Sequence, residues 1–512
     1  MNHILCGLAT NPALPSDLVG RLVALADADL ADALAGRPDL SRAHAAELAA
    51  RVQESAVPLA YAGLLHAADV DPVTSPEAAL ALLDEGSGDP GWARLLAADP
   101  DTGHREKLAA CPGLPADVRE TLAADTEPGV VAELAWWTTA DMAARLARHP
   151  HAEVRRAVAG NESTPPEVLA MLVTGEGLPP VRRCLVCDRE RTPFTHDREC
   201  PRLDCDLRSG ASCDGSHEST LHELAQQALG NPGTPVGVLL RFADHPSALL
   251  RALLAARPGL PPEVGARLVG DLDPDVRAGL AGNPGIGEDL VRALADDRGH
   301  DVRRSLAHHP RVPLDVLGEL ASTVRIGPTL LPRIAAASPA EVERLARSPH
   351  PVMRMLLAER RDLPAGIRDQ LAADPDAKVV KSVAPHPGLS PARLRNMIER
   401  HGAQVAAAVA ANPDAPADLL EELAGRVPPA GKALRRIAGR PDATAAALLA
   451  CLTDRRARPV AAGHPALPPR VLIGLLSDED AEVARAAAAN PSLPRAVMEE
   501  LVASAPAGAS AY

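Results

Sequence analysis

Aromatic side chains are almost missing from this chain, which has three tryptophans, two tyrosines and two phenylalanines in 512 residues. Phe194 and Phe242 are its only phenylalanines. Any core must therefore be built from Leu, Val and Ala, which suits thin, closely stacked helical layers. Long apolar runs are missing as well. No stretch reaches the roughly 18 residues a membrane helix needs. The opening MNHILCGLATNP has neither a basic start nor a long apolar core, so no signal peptide is expected, and it is too short before Cys6 for a lipoprotein signal. Positive charge is not in excess. The 53 Lys and Arg are outnumbered by 67 Asp and Glu, giving a net charge of −14. That balance argues against general affinity for phosphate backbones and leaves room for one local basic face. There is no glycine-rich phosphate loop, no Gly-x-Ser-x-Gly elbow and no isolated carboxylate pair, so an enzyme is not expected.

What the chain does have is a period. NPGTPVGVLLRFADHPSALLRALLAA, RPGLPPEVGARLVGDLDPDVRAGLAG and NPGIGEDLVRALADDRGHDVRRSLAH follow one another from Asn231, and Pro232, Pro258, Pro284 and Pro310 stand 26 residues apart. A fixed period of this size signals a solenoid, in which each repeat packs on its neighbours. Fifty prolines would otherwise suggest disorder; here many recur at one position and punctuate helices. Each repeat opens on Asn-Pro or a variant, as at Asn11, Asn231, Asn283, Asn412 and Asn490. Asn bonds nearby backbone, and the proline disfavours helix before it. A second proline begins helix A (PSDL, PPEV), with acids Asp17, Glu263 and Asp418 at its positive end. A turn such as DLDPD leads to helix B, VRAGLAG or VRRSLAH.

Along the chain, the first copies cover residues 5–51, with Pro12 and Pro38 again 26 apart. Residues 52–110 are helical in pattern but lose the period, which returns at Cys111-Pro112. Residues 112–172 and 310–371 look like a longer duplication: RLARHPHAEVRRAVAGN from Arg145 matches RLARSPHPVMRMLLAER from Arg344. After the first copy, Glu162 to Pro232 is 70 residues instead of 26, a surplus of 44. The surplus falls between helix A (PPEVLAMLV) and helix B (LHELAQQAL) of one repeat, where an excursion disturbs the stack least. The expected organisation is N-terminal helical repeats over 1–173, an insertion over 174–220, C-terminal repeats over 221–504 and a frayed tail over 505–512.

Five of the eight cysteines lie in the insertion: Cys184, Cys187, Cys200, Cys205 and Cys213, spaced C-x2-C-x12-C-x4-C-x7-C, with His196 and His217 nearby. A C-x2-C knuckle puts two sulfurs on one turn, and a second pair completes a tetrahedral shell for zinc. The compartment this suggests is the cytoplasm, where clustered thiols hold metal and structural disulfides are rare. Cys184, Cys187, Cys200 and Cys205 are the first choice of ligands; Cys213 or His217 can replace one, and a [4Fe–4S] cluster is the alternative to zinc. Cys6 and Cys451 lie on helical stripes as small core residues, and Cys111 takes the opening position of a repeat. His309, His386 and His464 occupy that same position and are read as structural. Arg155, Arg277, Arg303 and Arg354 recur early in helix B, with Lys378 and Lys381 near the same place. Stacked, they form a ladder. It is read as paired with acids of neighbouring turns such as Asp273, Asp275 and Asp301; the competing reading is a basic stripe for nucleic acid.

The form NP-x-LP-x-x-L-x-x-L followed by DPDVR-x-x-L-A resembles the leucine-rich repeat variant family, whose members are similar to HEAT-like arrays. The resemblance implies paired helices, one sometimes of 3₁₀ type, in a right-handed superhelix that serves interaction. Some members carry a cysteine-bound [4Fe–4S] module at the N-terminal end of the repeats, whereas the cluster here is mid-chain and does not match that module residue by residue. The expected protein is thus an all-α, right-handed α-solenoid with an inserted metal-binding cassette. It would bind a protein partner on its concave face, act on no membrane and catalyse nothing. Alternatives are an iron–sulfur redox or sensor protein and a nucleic-acid binder.

Overall fold

The computed structural model describes residues 2–184 and 217–505. The protein is all-helical, 62% helix with no strand among the described residues, and its helices pack in succession. The chain forms two compact units. One comprises residues 83–327 and 331–336; the other comprises 1–82, 328–330 and 337–512.

The repeat from Arg257 shows how the sequence makes its two helices. Gly259 takes φ +76°, a turn that a side chain would strain. Pro261 then stands at the N-cap in an extended conformation (φ −58°, ψ 140°), and helix A runs Pro262–Leu268. The prolines thus cap helix A as well as open it, as Pro15, Pro115 and Pro165 also do. Asp273 caps helix B, Pro274–Gly282, by accepting from the Asp275 N–H. Val264, Leu268, Val276, Leu280 and Ala281 are buried between the pair. Helix B packs directly on the B helices before and after it. The approach is close enough that a Cβ on Gly279 would lie 2.7 Å from the Ala252 carbonyl oxygen.

The opening residue of each repeat ties it to the previous one. Asn283 is buried, and its Nδ2 donates to Ala255 O (2.8 Å) and Arg257 O (2.7 Å) while its Oδ1 accepts from Gly285 N (2.8 Å). Asn412 and Asn490 repeat these bonds on carbonyls 28 and 26 residues back. Arg257 reaches the equivalent carbonyls, Leu229 O and Asn231 O, through Nη1. His309 bonds Asn283 O through Nε2 and accepts from Arg311 N at Nδ1. Asn, Arg and His interchange at this position because each delivers N–H into a buried carbonyl that helix ends leave unsatisfied. Asn231 makes the same bonds to Ala159 O and Asn161 O, 72 and 70 residues back. The period therefore resumes across the insertion, as the surplus of 44 predicts.

Residues 2–82 continue the stack of residues 337–505. Asn11 Nδ2 donates to Ala488 O (2.9 Å) and Asn490 O (2.7 Å), so the first repeat is clamped to the last as any repeat is to its predecessor. The helix Asn2–Ala9 packs on the helix Ala481–Ala488, and Arg37 in turn bonds Ala9 O and Asn11 O. In the aperiodic stretch the helices are short: Ala56–Tyr61, Pro76–Asp84, Pro90–Leu96 and Thr102–Ala110, with 3₁₀ turns at Gln53–Ser55 and Ala67–Asp69.

Candidate functional site

The insertion leaves helix A (Pro166–Thr174) through Gly175, in left-handed conformation at φ +76°. Its first segment then docks on the preceding repeat. Arg182 N and Arg183 N donate to Pro150 O (2.9 and 3.3 Å), and Ala152 N donates to Arg183 O (2.9 Å). That last bond satisfies a first-turn N–H of the helix Ala152–Gly160. Arg155 adds a bond from Nη2 to Pro179 O (2.8 Å) and another from Nε to His149 O (2.7 Å). Cys184, at the end of this docked segment, is fully buried. The chain re-enters at His217, buried and left-handed at φ +58°, which precedes helix B (Glu218–Gly230). Of the candidate ligands, Cys184 and His217 are at these two roots. Cys187, Cys200, Cys205 and Cys213, with His196, lie outside the described residues. Among the described residues no group of three or more His, Cys, Asp or Glu could hold a metal.

The other cysteines behave as core. Burial pushes the Cys111 thiol up to about 12 and the Cys451 thiol to about 11. Cys451 Sγ lies 3.3 Å from Leu434 O and Cys111 Sγ 3.4 Å from Lys107 O. Thiols so protonated are poor nucleophiles.

The arginines six residues before each opening position do form a ladder of ion pairs, with different acids from those expected. Arg277 holds Asp297, Arg251 holds Asp271, Arg354 holds Asp374 and Arg105 holds Asp125, always 20 residues ahead. The bonds are bidentate (Arg277 Nε–Asp297 Oδ2 2.6 Å, Nη2–Oδ1 3.2 Å), and Nη1 bonds a carbonyl six residues back. Asp273, Asp275 and Asp301 are not the partners; the first acid of each turn is nearer the neighbouring helix B and takes that role. The pair side chains are 17% and 9% exposed, and Arg277's hydrogen bond holds the Asp297 carboxyl below its ordinary range. Guanidinium groups held in this way are not presented to a phosphate backbone. Two rungs differ. Gly175 and Thr323 stand where the acids of Arg155 and Arg303 would be, and both arginines bond carbonyls instead.

Lys378 and Lys381 are not rungs at all. They lie eight and five residues before His386, on the exposed side of the helix Ala377–Val383, and Val380 takes the buried place of the arginine. Positions eight, five and four before the opening residue share one helix face, since they lie three or four apart. In the unit containing residues 83–327 this face is mixed: Glu106 beside Lys107, Glu153 paired with Arg156, Glu223, Asp275, and Asp301 beside Arg304. In the other unit the stretch between Ala377 and Ala462 carries Lys378, Lys381, Gln404, Lys432, Arg435, Arg436 and Arg456, while Asp29, Asp32 and Glu482 stand on the face outside that stretch. A composition this local is hidden in the net charge; counting back from each opening residue is what separates it from the ladder.

No family model matches the chain, and no curated protein matches it. Among solved structures, an engineered protein from the Northeast Structural Genomics Consortium is 16% identical, with 85% of this chain and 98% of that chain covered at a TM-score of 0.13. No described helix is long and apolar enough to cross a membrane.

Proposed function

We propose that this chain is a right-handed α-solenoid of the leucine-rich repeat variant kind, a non-enzymatic scaffold that binds a protein partner along its layer of B helices. One observation carries the reading. Successive B helices pack directly on one another while the residue eight before the opening position is exposed in most repeats, as at Glu223, Asp275, Asp301, Lys378, Gln404 and Lys432. Such a layer presents a row of exposed side chains, one from each of several stacked repeats, along one surface. A photo-crosslinking side chain at Gln404, on that face, should attach the full-length protein to another polypeptide in cells. The same group at Asn396, exposed on helix A of that repeat, should not. Equal attachment from both, or none from Gln404, overturns the reading.

The insertion over 174–220 is proposed as a zinc cassette held by Cys184, Cys187, Cys200 and Cys205, with Cys213 or His217 as substitutes, and bracing the partner from the side. Two features support it. The donor set is rich in sulfur and imidazole, and the described root of the segment brings Cys184 into a buried position by backbone bonds to the neighbouring repeat. Bound zinc would supply folding free energy on the order of 10 kcal/mol to a segment with little apolar content. Protein purified without oxygen should carry about one zinc per chain and be colourless. The double variant Cys184→Ser, Cys187→Ser should lose most of that metal. Equal metal in both removes the cassette, and a broad visible absorption with bound iron replaces zinc by an iron–sulfur cluster.

A further inference from the structure

We infer that the exposed B-helix face between Ala377 and Ala462 is a docking surface for an acidic polypeptide segment with interspersed small apolar side chains. This deepens the partner reading above and rests on it. Six cations make the face: Lys378 and Lys381 on the helix Ala377–Val383, Lys432, Arg435 and Arg436 on Gly431–Ala438, and Arg456 just before Arg458–Ala462. None forms an ion pair among the described residues. Most ladder arginines, by contrast, are drawn onto Asp, and several helix A arginines pair across repeats, as Arg395 does with Asp418 and Arg292 with Asp315. With 67 acids to 53 bases in the chain, acids are not in short supply. Between Ala377 and Ala462 none is placed on this face. The two that lie nearest in sequence serve other bonds: Asp376 accepts from Lys378 N (2.8 Å), and Asp454 accepts from Arg456 N and Ala457 N (3.0 and 2.9 Å). The charge is bounded at the far end, where Glu482 lies on the face beside Arg485.

Two observations select an acidic peptide over nucleic acid. No Phe, Tyr or Trp occurs between residues 377 and 462, so no ring is present to stack a base, a contact worth about 1–3 kcal/mol each. The cations are also sparse, at most three per helix on helices roughly 8–10 Å apart, with Gln404 and Ala407 as a neutral gap. Duplex phosphates fall every ~1.7 Å and would find few partners here. Between the cations lie exposed Val460 and Ala403, which suit small apolar side chains alternating with carboxylates.

The test uses the full chain and labelled peptides in a fluorescence-anisotropy titration. A peptide alternating Glu with Ala and Leu should bind and weaken as salt is raised. The variant Lys432→Glu, Arg436→Glu should bind it at least about tenfold more weakly, with an unchanged melting curve. Asp275→Lys, Asp301→Lys in the other unit should leave that binding unchanged. Binding that ignores the Lys432 and Arg436 reversals overturns the inference, and so does tighter binding of single-stranded oligothymidylate at the same salt. A neutral or basic peptide bound through the face of Asp275 and Asp301 overturns it while leaving the general partner reading standing. Failure of peptides of every charge to bind removes both.

Discussion

Asn283→Leu should lower the stability of its unit by about 3 kcal/mol, read as a drop in urea midpoint without a change in slope. The size follows from what is orphaned. Asn283 is 1% exposed, and its amide satisfies Ala255 O, Arg257 O and Gly285 N. Leucine leaves two carbonyls and one N–H buried without partners, and desolvation of each costs about 1–3 kcal/mol when nothing replaces the bond. The apolar methyls of leucine, of the same length as the amide they replace, offset part of this, about 1 kcal/mol. Asn283→His should cost less at neutral pH, because a histidine at this position, as His309 shows, bonds the carbonyl 26 residues back and accepts the N–H two residues on, leaving one carbonyl rather than three groups unsatisfied. Its penalty should grow in acid. The neutral ring donates from Nε2 and accepts at Nδ1, so a second proton removes the acceptor. Burial lowers the pKa of His309 and of His386 below the ordinary 6.5. A lowered folded pKa means the unfolded chain binds the proton more readily. The stability is therefore complete above 6.5 and is lost as pH falls through the folded value. A histidine variant whose midpoint rises as pH falls from 7 to 5 would contradict this account.

Gly7→Ala should release the first repeat from the last, at a cost of about 3 kcal/mol. Helix propensity alone favours Ala over Gly by about 1 kcal/mol, so the sign is decided by packing. A Cβ on Gly7 would lie 2.9 Å from Arg485 C and 3.0 Å from Arg485 Cα, and closer still to its carbonyl oxygen. These are backbone atoms of the helix Ala481–Ala488 and cannot rotate away. The helices must part, and the Asn11 bonds to Ala488 O and Asn490 O go with them. Hydrogen exchange should then speed up in residues 2–36 and 481–503 together. Gly36→Ala is the control: its Cβ would meet nothing closer than 3.8 Å. If Gly7→Ala exchanges no faster than Gly36→Ala, the close approach of the two ends is wrong.

The helical class and the period were both legible before any coordinates, because they rest on local rules: proline and acid at helix starts, leucine at i and i+4, Asn before Pro. The place of the insertion was legible for the same reason, since Asn231 must find carbonyls and the count from Glu162 leaves 44 residues over. Three things were not legible. The Asp that pairs each ladder arginine depends on which turn residue faces the neighbouring helix, and the sequence pointed only to acids of the turns in general, such as Asp273, Asp275 and Asp301. Lys378 and Lys381 looked like rungs until the buried place was found to belong to Val380. The ligands Cys187, Cys200, Cys205 and Cys213 remain where the sequence pattern put them, a proposal resting on spacing and on the burial of Cys184.

By itself the sequence determined that the chain is a succession of short helix pairs without an aromatic core, since periodicity and composition are properties of neighbouring residues. Only the tertiary structure decided that Asn11 clamps Asn490. That bond joins positions 479 residues apart, and no pattern along a chain records which repeat a terminal repeat will meet. The physical reason is that every opening residue offers the same N–H donors and every preceding repeat the same carbonyls, so the contact is specified by shape and reach alone.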